Sequence, residues 1–525
     1  MDNLSKKWIK IGIFLLLLAW FGFLMAGKID LTTADLGRHI KNGEWLVENH
    51  FDLSSHASPI HENFFSYTYP DYPFVNHHWA SGLVFYHIWS ALGFKGLSIA
   101  YILLSVLTLA IFFFLAWRGS SFHYAALFSL LLIPLAAERR EIRPEGFSAF
   151  FAGMFFLILW LWSGKRISSR WLLVLPILMI LWVNLHVYFF LGLFLIGVFF
   201  IAAAGKLVLS RLDDRDFQET LTKAKWLLGI GFLAGLAALA NPAGLKGAIH
   251  PFKIYANYGY TVLEEKSVWF LENYGIANPN FLTLEVSLIF LAIGLLLLFF
   301  INRKRFSFEN LAVSVFFGAI GFLALRNFSL IGLFALPILS WTYFAVFQQK
   351  KGEMNIAKEN GAGVLFVLIA ILAIYGNWQF VSVHKKDFGI GLRPGTQEAA
   401  EFLRDKKISG PIFNNYDIGG YLIFYLPPEE KVFVDNRPEV YPSSFFSQIY
   451  KPMQENPDIF RQVDEKYGFK AIVFYRGDIT PWAQSFFENI NNNDDWSPVF
   501  KNNYAIIYLK KNETNQPIIE KYQLK

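Results

Sequence analysis

The chain has 525 residues, 54% of them hydrophobic and 18% aromatic, with a mean hydropathy of +0.36 and a net charge of +6. A soluble protein of this length cannot hide so much apolar surface in one core, so lipid is the solvent for much of it. The absence of cysteine excludes disulfides, thiolate metal sites and a thiol nucleophile. The charge is small and no basic stripe is interleaved with aromatics, which excludes nucleic-acid binding.

In chain order, Lys6, Lys7 and Lys10 precede the apolar run Ile11 to Ala26. This run reads as a retained anchor, because Gly27 makes a poor cleavage site and many further spans follow. Hydropathy gives about eleven spans: 8–26, 97–117, 122–138, 146–163, 170–183, 187–208, 226–240, 281–301, 310–325, 328–347 and 362–380. The stretch 79–93 is too short to cross and reads as an interfacial helix. A cytoplasmic N-terminus places Lys165/Arg166/Arg170, Arg303/Lys304/Arg305 and Lys350/Lys351 all inside, as orientation by Lys and Arg requires. The large first loop 27–78, the turn Glu138 to Glu145, Asn184 to His186, 241–280 and Arg326 with Asn327 then lie outside.

The pattern changes near residue 381. Pro394 opens a helix-like stretch to Lys406, and the short apolar runs Lys431 to Val434, Ala471 to Tyr475 and Ala505 to Leu509 alternate with amphipathic segments. The expected architecture is mainly α: a polytopic helical membrane bundle over 1–380 and a small soluble extracytoplasmic α/β domain over 381–525.

Polar residues at the outer boundary are the candidates for function. Arg139, Arg140 and Arg143 stand in ERREIRPEG, where each would cost about 2.5 to 3.5 kcal/mol at mid-membrane. Their forks match phosphate oxygens, so one reading is a pocket for a lipid phosphate; the other is a headgroup anchor paired with Glu138, Glu141 and Glu145. Asp35 and His39 share a face if their segment is helical, which suits a proton acceptor with an orienting partner; a helix cap at Asp35 beside a surface histidine is the alternative. His77 and His78 adjoin Trp79, and a zinc site from His39, His77, His78 and Asp35 is a weak option, since adjacent histidines point apart. Asn184, His186, Asn241 and Arg326 interrupt apolar runs, either lining a cavity or bonding between helices. No nucleotide loop, serine triad order or H-E-x-x-H motif occurs.

Taken in order, DLGRHIKNGEWL, FFSYTYPDYPFVNHHWAS, EIRPEGFS, LWVNLHVYFFLG, ANPAG, ALRNFSL and YDIGGYLIFYLPPEEKVFVDNRPEVY resemble a group of bacterial multi-pass membrane proteins. That group is similar to the type C glycosyltransferases (GT-C), which include protein mannosyltransferases and lipopolysaccharide-modifying transferases. The resemblance implies a plasma-membrane enzyme that moves a hexose or pentose, with inversion, from a polyprenyl-phosphate donor to an extracytoplasmic lipid, glycan or protein. It makes Asp35 the base; on the chemistry of the residues themselves, His39 then orients the acceptor or the donor sugar, and Arg143 with Arg139 or Arg140 stabilises the departing phosphate. Leu36 follows Asp35, so no Asp-Glu, Asp-Asp or D-x-D pair stands there, and a divalent metal is an open cofactor. In the C-terminal region Asp435, Arg437, Glu439 and Tyr441 read as a turn network or an acceptor contact. The rival functions are a transporter or flippase for a lipid-linked anion, and a non-catalytic envelope scaffold that recruits partners among membrane lipids and proteins.

The charge asymmetry yields a topology prediction. Reporter fusions near Asn42, Asn257 and Asn503 are expected outside and those near Ser168, Asp214 and Lys351 inside; an inside signal at Asn503 overturns the span count.

Overall fold

The structure is a computed structural model that describes residues 3–55, 57–209, 213–253, 257–348 and 356–524; the cluster Lys350/Lys351 lies outside the described residues. The chain begins with Asn3–Met25 (α1), then Leu36–Glu48 (α2) in the first loop, Trp79–Gly119 (α3), Phe122–Ala136 (α4), Glu145–Ser163 (α5), Val174–Leu185 (α6), Phe190–Leu209 (α7) and Asp214–Ala237 (α8). Two short helices follow, Leu245–Ala248 (α9) and Val268–Asn273 (α10), before Phe281–Ile301 (α11), Phe308–Leu323 (α12), Phe328–Phe347 (α13) and Ile356–His384 (α14).

Helices of unequal length fall where hydropathy puts the eleven spans. Among the described residues seven helices are long and apolar enough to cross a membrane (α1, α3, α5, α7, α11, α13 and α14). Three shorter apolar helices, Phe122–Ala136, Ser169–Leu185 and Phe308–Leu323, stand beside them. The eleventh, α8, is apolar only in its second half, since its first turns carry Asp214, Arg215 and Asp216. The central helix is α13, buried along nearly its whole length between α3, α4, α11 and α12.

The stretch 79–93 is continuous with the next span rather than a free helix. Gly93 separates the two legs of α3 with φ 64° and ψ −172°, a left-handed backbone that favours glycine. The first leg packs along α2, and close backbone contact sets how near the two helices come. A Cβ on Gly43 would sit 2.3 Å from the Gly82 carbonyl oxygen, and one on Gly37 would sit 2.8 Å from that of Gly420. The glycines therefore fix α2 between the bundle and the C-terminal region.

In that region the helices Glu398–Asp405 (α15), Gly419–Tyr425 (α16), Lys451–Glu455 (α17), Pro457–Tyr467 (α18), Pro481–Asn491 (α19) and Gln516–Tyr522 (α20) surround a four-stranded sheet. Its strands are Ile412–Asn414 (β1), Ala471–Tyr475 (β2), Trp496–Lys501 (β3) and Ala505–Lys510 (β4), in the order β1-β2-β4-β3. The β1 and β2 strands run parallel and the other pairs antiparallel. Two of the three apolar runs expected as strands are β2 and β4. The third, Lys431 to Val434, forms only isolated bridges, in which Val432 meets Ile412 on one side and Ser66 on the other. It thereby ties the first loop to the sheet edge. A second tie joins the segment after α1 to the segment after α14, where Gly27 bridges Phe388 and Ile29 bridges Leu392.

Docking of α2 by glycine contacts is testable. Gly43→Ala must displace the Gly82 backbone and is expected to cost about 1 to 3 kcal/mol. Gly12→Ala in α1, where an added Cβ meets nothing within 4 Å, is expected to be tolerated. Equal melting temperatures for the two purified variants would mean that α2 is not held this way.

Candidate functional site

Asp35 occupies the N-cap position of α2, yet its carboxylate makes no side-chain capping bond. It faces guanidiniums instead: Oδ2 lies 3.4 Å from Arg143 Nη1 and Oδ1 lies 3.9 Å from Arg38 Nη2. An acid at this position would ordinarily satisfy a free backbone N–H, so its diversion to arginine sets it apart. Burial pushes the Asp35 carboxyl up, and Arg143 and Arg38 offset this only in part.

Arg143 belongs to a larger cluster. Glu264, in the loop between α8 and α11, accepts from Arg139 Nη1 at 2.6 Å, from Arg326 Nη2 at 2.9 Å and from Arg143 Nη1 at 3.3 Å. Burial by itself would raise this carboxyl, but the three guanidiniums together hold it well below the usual carboxylate range. Glu145 sits 3.3 Å from Arg139, Glu141 2.7 Å from Arg143 and Glu265 3.1 Å from Arg326. Arg139, Arg143, Arg326 and Asp35 thus meet at one end of the bundle. Directly beneath them a cavity lined by Arg139, Glu145 and Arg326 runs on between Phe21, Met25, Leu330 and Leu333. Arg140 points elsewhere: its guanidinium lies 3.8 Å from Asp387 and over the rings of Phe380 and Phe388.

His39 packs into the contact between α2 and α3. Its ring is 1% exposed and meets His78 edge-on at 4.6 Å. His77 stacks on His78 at 4.4 Å and on His250 at 4.8 Å. His78 Nδ1 is 2.7 Å from Asn76 Oδ1. Burial holds the imidazoles of His39, His77 and His78 well below the usual histidine value. Stacked rings do not aim their nitrogens at a common point, and among the described residues no three histidine or acidic side chains form a metal-holding group. The residues present do not fit a divalent cation at Asp35, whose two oxygens face guanidiniums.

Asn184 bonds across helices, accepting from Trp79 Nε1 at 2.9 Å and donating to the Ala240 carbonyl at 2.8 Å. Trp182 donates to the Ser148 hydroxyl at 2.8 Å, which in turn lies 2.8 Å from His186 Nδ1. Asn241 closes its own turn, donating to the Gly244 carbonyl and accepting from the Ala243 N–H. Asp435 and Arg437 form a fully buried pair, with Nη2 to Oδ2 at 2.6 Å and Nε to Oδ1 at 2.9 Å. Arg437 also reaches Asn63 Oδ1 at 3.2 Å, and the Asp435 N–H donates to the Tyr441 hydroxyl. This network clamps the first loop onto the sheet. Glu439 lies alongside, its carboxyl pushed up by burial against the pull of Arg38 and Arg437.

Glu264, Arg38, His250 and Asp417 were not singled out by sequence reasoning. Asp417, just ahead of α16, has its carboxyl pushed up to about 7 by burial, with Asp478 and Asp35 adding to the shift. Its position in YDIGG, where Gly420 lets α16 approach α2 and Gly419 lets it approach the Val434–Asp435 backbone, was the available signal.

No family model and no curated protein matches the chain in sequence. Its fold does match solved structures. The oligosaccharyltransferase AglB of Archaeoglobus fulgidus, in complex with an inhibitory peptide and a dolichol-phosphate, superposes with a TM-score of 0.60 at 13% identity, over 95% of this chain and 73% of that one. The A. fulgidus oligosaccharyltransferase tethered to an acceptor peptide gives 0.62 at 14%, over 97% and 75%. ArnT from Cupriavidus metallidurans in the apo state gives 0.52 at 14%, over 96% and 98%. The chain is a multi-pass membrane protein that shares the GT-C-like fold of these structures.

Proposed function

We propose that the chain is a membrane glycosyltransferase that moves a sugar from a polyprenyl-phosphate donor to an acceptor on the extracytoplasmic side of a bacterial plasma membrane. The observation that carries the reading is the meeting of Asp35 with Arg139, Arg143 and Arg326 above an apolar cavity. A phosphate among the guanidiniums would leave its lipid chain along Phe21, Met25 and Leu333, so one ligand satisfies both halves of the site. The structural likeness to an oligosaccharyltransferase described with a dolichol-phosphate and an acceptor peptide supports the same substrate class.

In the proposed reaction the acceptor oxygen attacks the anomeric carbon while Asp35 takes its proton. The bond from that carbon to the phosphate oxygen breaks, and the electron pair leaves with the polyprenyl phosphate. Arg143 and Arg139 stabilise the charge that grows on the leaving group, as donors fixed in advance do efficiently. His39, one turn along α2, holds the helix against α3 behind the base. No step uses a metal. In this state Glu264 stands where the phosphate would bind, because a carboxylate presents the same acceptor oxygens to the same forks. Donor binding therefore displaces the loop segment that carries Glu264.

Two outcomes test this reading with purified protein and a radiolabelled polyprenyl-phosphate sugar. Asp35→Asn is nearly isosteric, so donor binding should persist while turnover falls at least about a hundredfold. Because a raised carboxyl must lose its proton to act, wild-type activity should climb with pH through a value above that of a free aspartate, and that limb should vanish in the variant. Full activity in Asp35→Asn, or donor binding without product in the wild type, would favour a flippase or scaffold.

Glu264→Gln removes the competing charge while keeping the shape. Polyprenyl-phosphate affinity should rise about tenfold, equivalent to about 1.4 kcal/mol, and the unliganded protein should melt at a lower temperature. Weaker binding by this variant would make Glu264 part of the ligand's own site.

A further inference from the structure

At the opposite end of the bundle five helices leave a cavity of about 380 Å³. Helix α5 measures the separation: it starts at Glu145 beside Arg139 and ends at Ser163 on the cavity wall, which places the two sites about 28 Å apart along its axis. The cavity is lined by Trp160 from α5, Phe199 and Lys206 from α7, Thr220 and Lys223 from α8, and Trp341 from α13.

The chemistry of this wall is two-sided. Trp160 and Trp341 stack at 5.4 Å with their planes 10° apart, and the Trp341 N–H is already spent on the Leu115 carbonyl at 2.8 Å. That indole therefore offers the cavity ring surface, not a donor. The mouth is cationic. Lys223 shares the single carboxylate of Glu219 with Lys165, at 3.1 Å and 2.7 Å. Among the described residues no acid lies within ion-pair distance of Lys206. Glu219 lies outside the lining; the acid on the wall itself, Glu309 from α12, accepts from the Ser307 hydroxyl at 2.7 Å. Lysines and tryptophans are common at any membrane boundary, where they form a belt on the outer surface of the bundle. Here they frame a recess that runs inward between helices, with apolar walls and an ammonium at its rim. Such a shape accepts a molecule with an anionic head and an apolar body, and lipid surrounds the bundle at this depth.

We propose that this cavity binds an anionic phospholipid, with the phosphate between Lys206 and Lys223 and the glycerol and first chain carbons against Phe199 and Trp341. The site is separate from the proposed reaction site and does not depend on what is transferred there.

The test reads lipid retention by the full chain. Protein reconstituted in equimolar phosphatidylglycerol and phosphatidylcholine is extracted, and the bound lipid is measured by native mass spectrometry. Phosphatidylglycerol should be enriched in the wild type, and Lys206→Gln with Lys223→Gln should reduce the enrichment about twenty-five-fold, about fivefold for each lysine. Lys246→Gln with Lys253→Gln, exposed and on the short helices near His250, serves as the control and should leave it unchanged. All four lysines lie at helix surfaces or loops, so melting temperatures should match and confirm folding. Wild-type enrichment in the Lys206/Lys223 variant, an equal loss in the control, or displacement of the bound lipid by millimolar inorganic phosphate would each overturn the proposal.

Discussion

Guanidinium groups at the rim of an apolar bundle have to find counter-charge, and this requirement organises the protein. Arg139 precedes α5, Arg326 precedes α13, and both reach Glu264 from a loop that belongs to neither. Arg143 completes the set and reaches Asp35 in the first loop as well. Leaving such charges unpaired away from water costs several kcal/mol each, so segments far apart in the chain are drawn to one place. The same arrangement is open to exchange. A carboxylate and a phosphate compete for the same donors, so pairing that stabilises the empty protein also prepares a site for an anionic ligand.

The C-terminal region matters because α2 carries Asp35 and has two neighbours. Toward the bundle it rests on α3 through Gly43 and Gly82; toward the sheet it rests on α16 through Gly37 and Gly420. The buried Asp435–Arg437 pair secures the loop that follows α2 by way of Asn63, and breaking such a pair typically costs about 3 to 5 kcal/mol. These residues position the site from outside it. Acid at position 35 can point at arginine, in place of a backbone N–H, because α2 has little freedom to rotate.

The fold was largely legible in advance. Runs such as Ile11 to Ala26 and Phe281 to Ile301 are helices because lipid leaves a backbone few other ways to satisfy its hydrogen bonds, and hydropathy alone detects that. β2 and β4 were legible for a related reason, as continuous apolar runs in the sheet interior. The segment 431–434 has the same apolar pattern but pairs only at Val432, since its neighbours are a short strand and a loop. At the site, Arg139, Arg143 and Arg326 stood out because charge is costly beside apolar runs, and Asp35 by its spacing from His39 and by the family resemblance. Arg140 stood out equally and went to Asp387, a direction that spacing does not encode.

The sequence by itself determined that this is a helical membrane protein with an α/β region at its C-terminal end, and that its arginines crowd one boundary. Both follow from local properties, the apolarity of a window and the cost of charge within it. Tertiary structure decided which charges meet. Glu264 lies in a polar stretch, TVLEEKS, where a glutamate costs nothing and so carries no signal. Its importance comes from contact with residues 125, 121 and 62 positions away in the chain. The direction of His39, into the α2–α3 contact against His78 and Phe85, was likewise set by packing, because a shared helix face leaves open which neighbour each side chain meets.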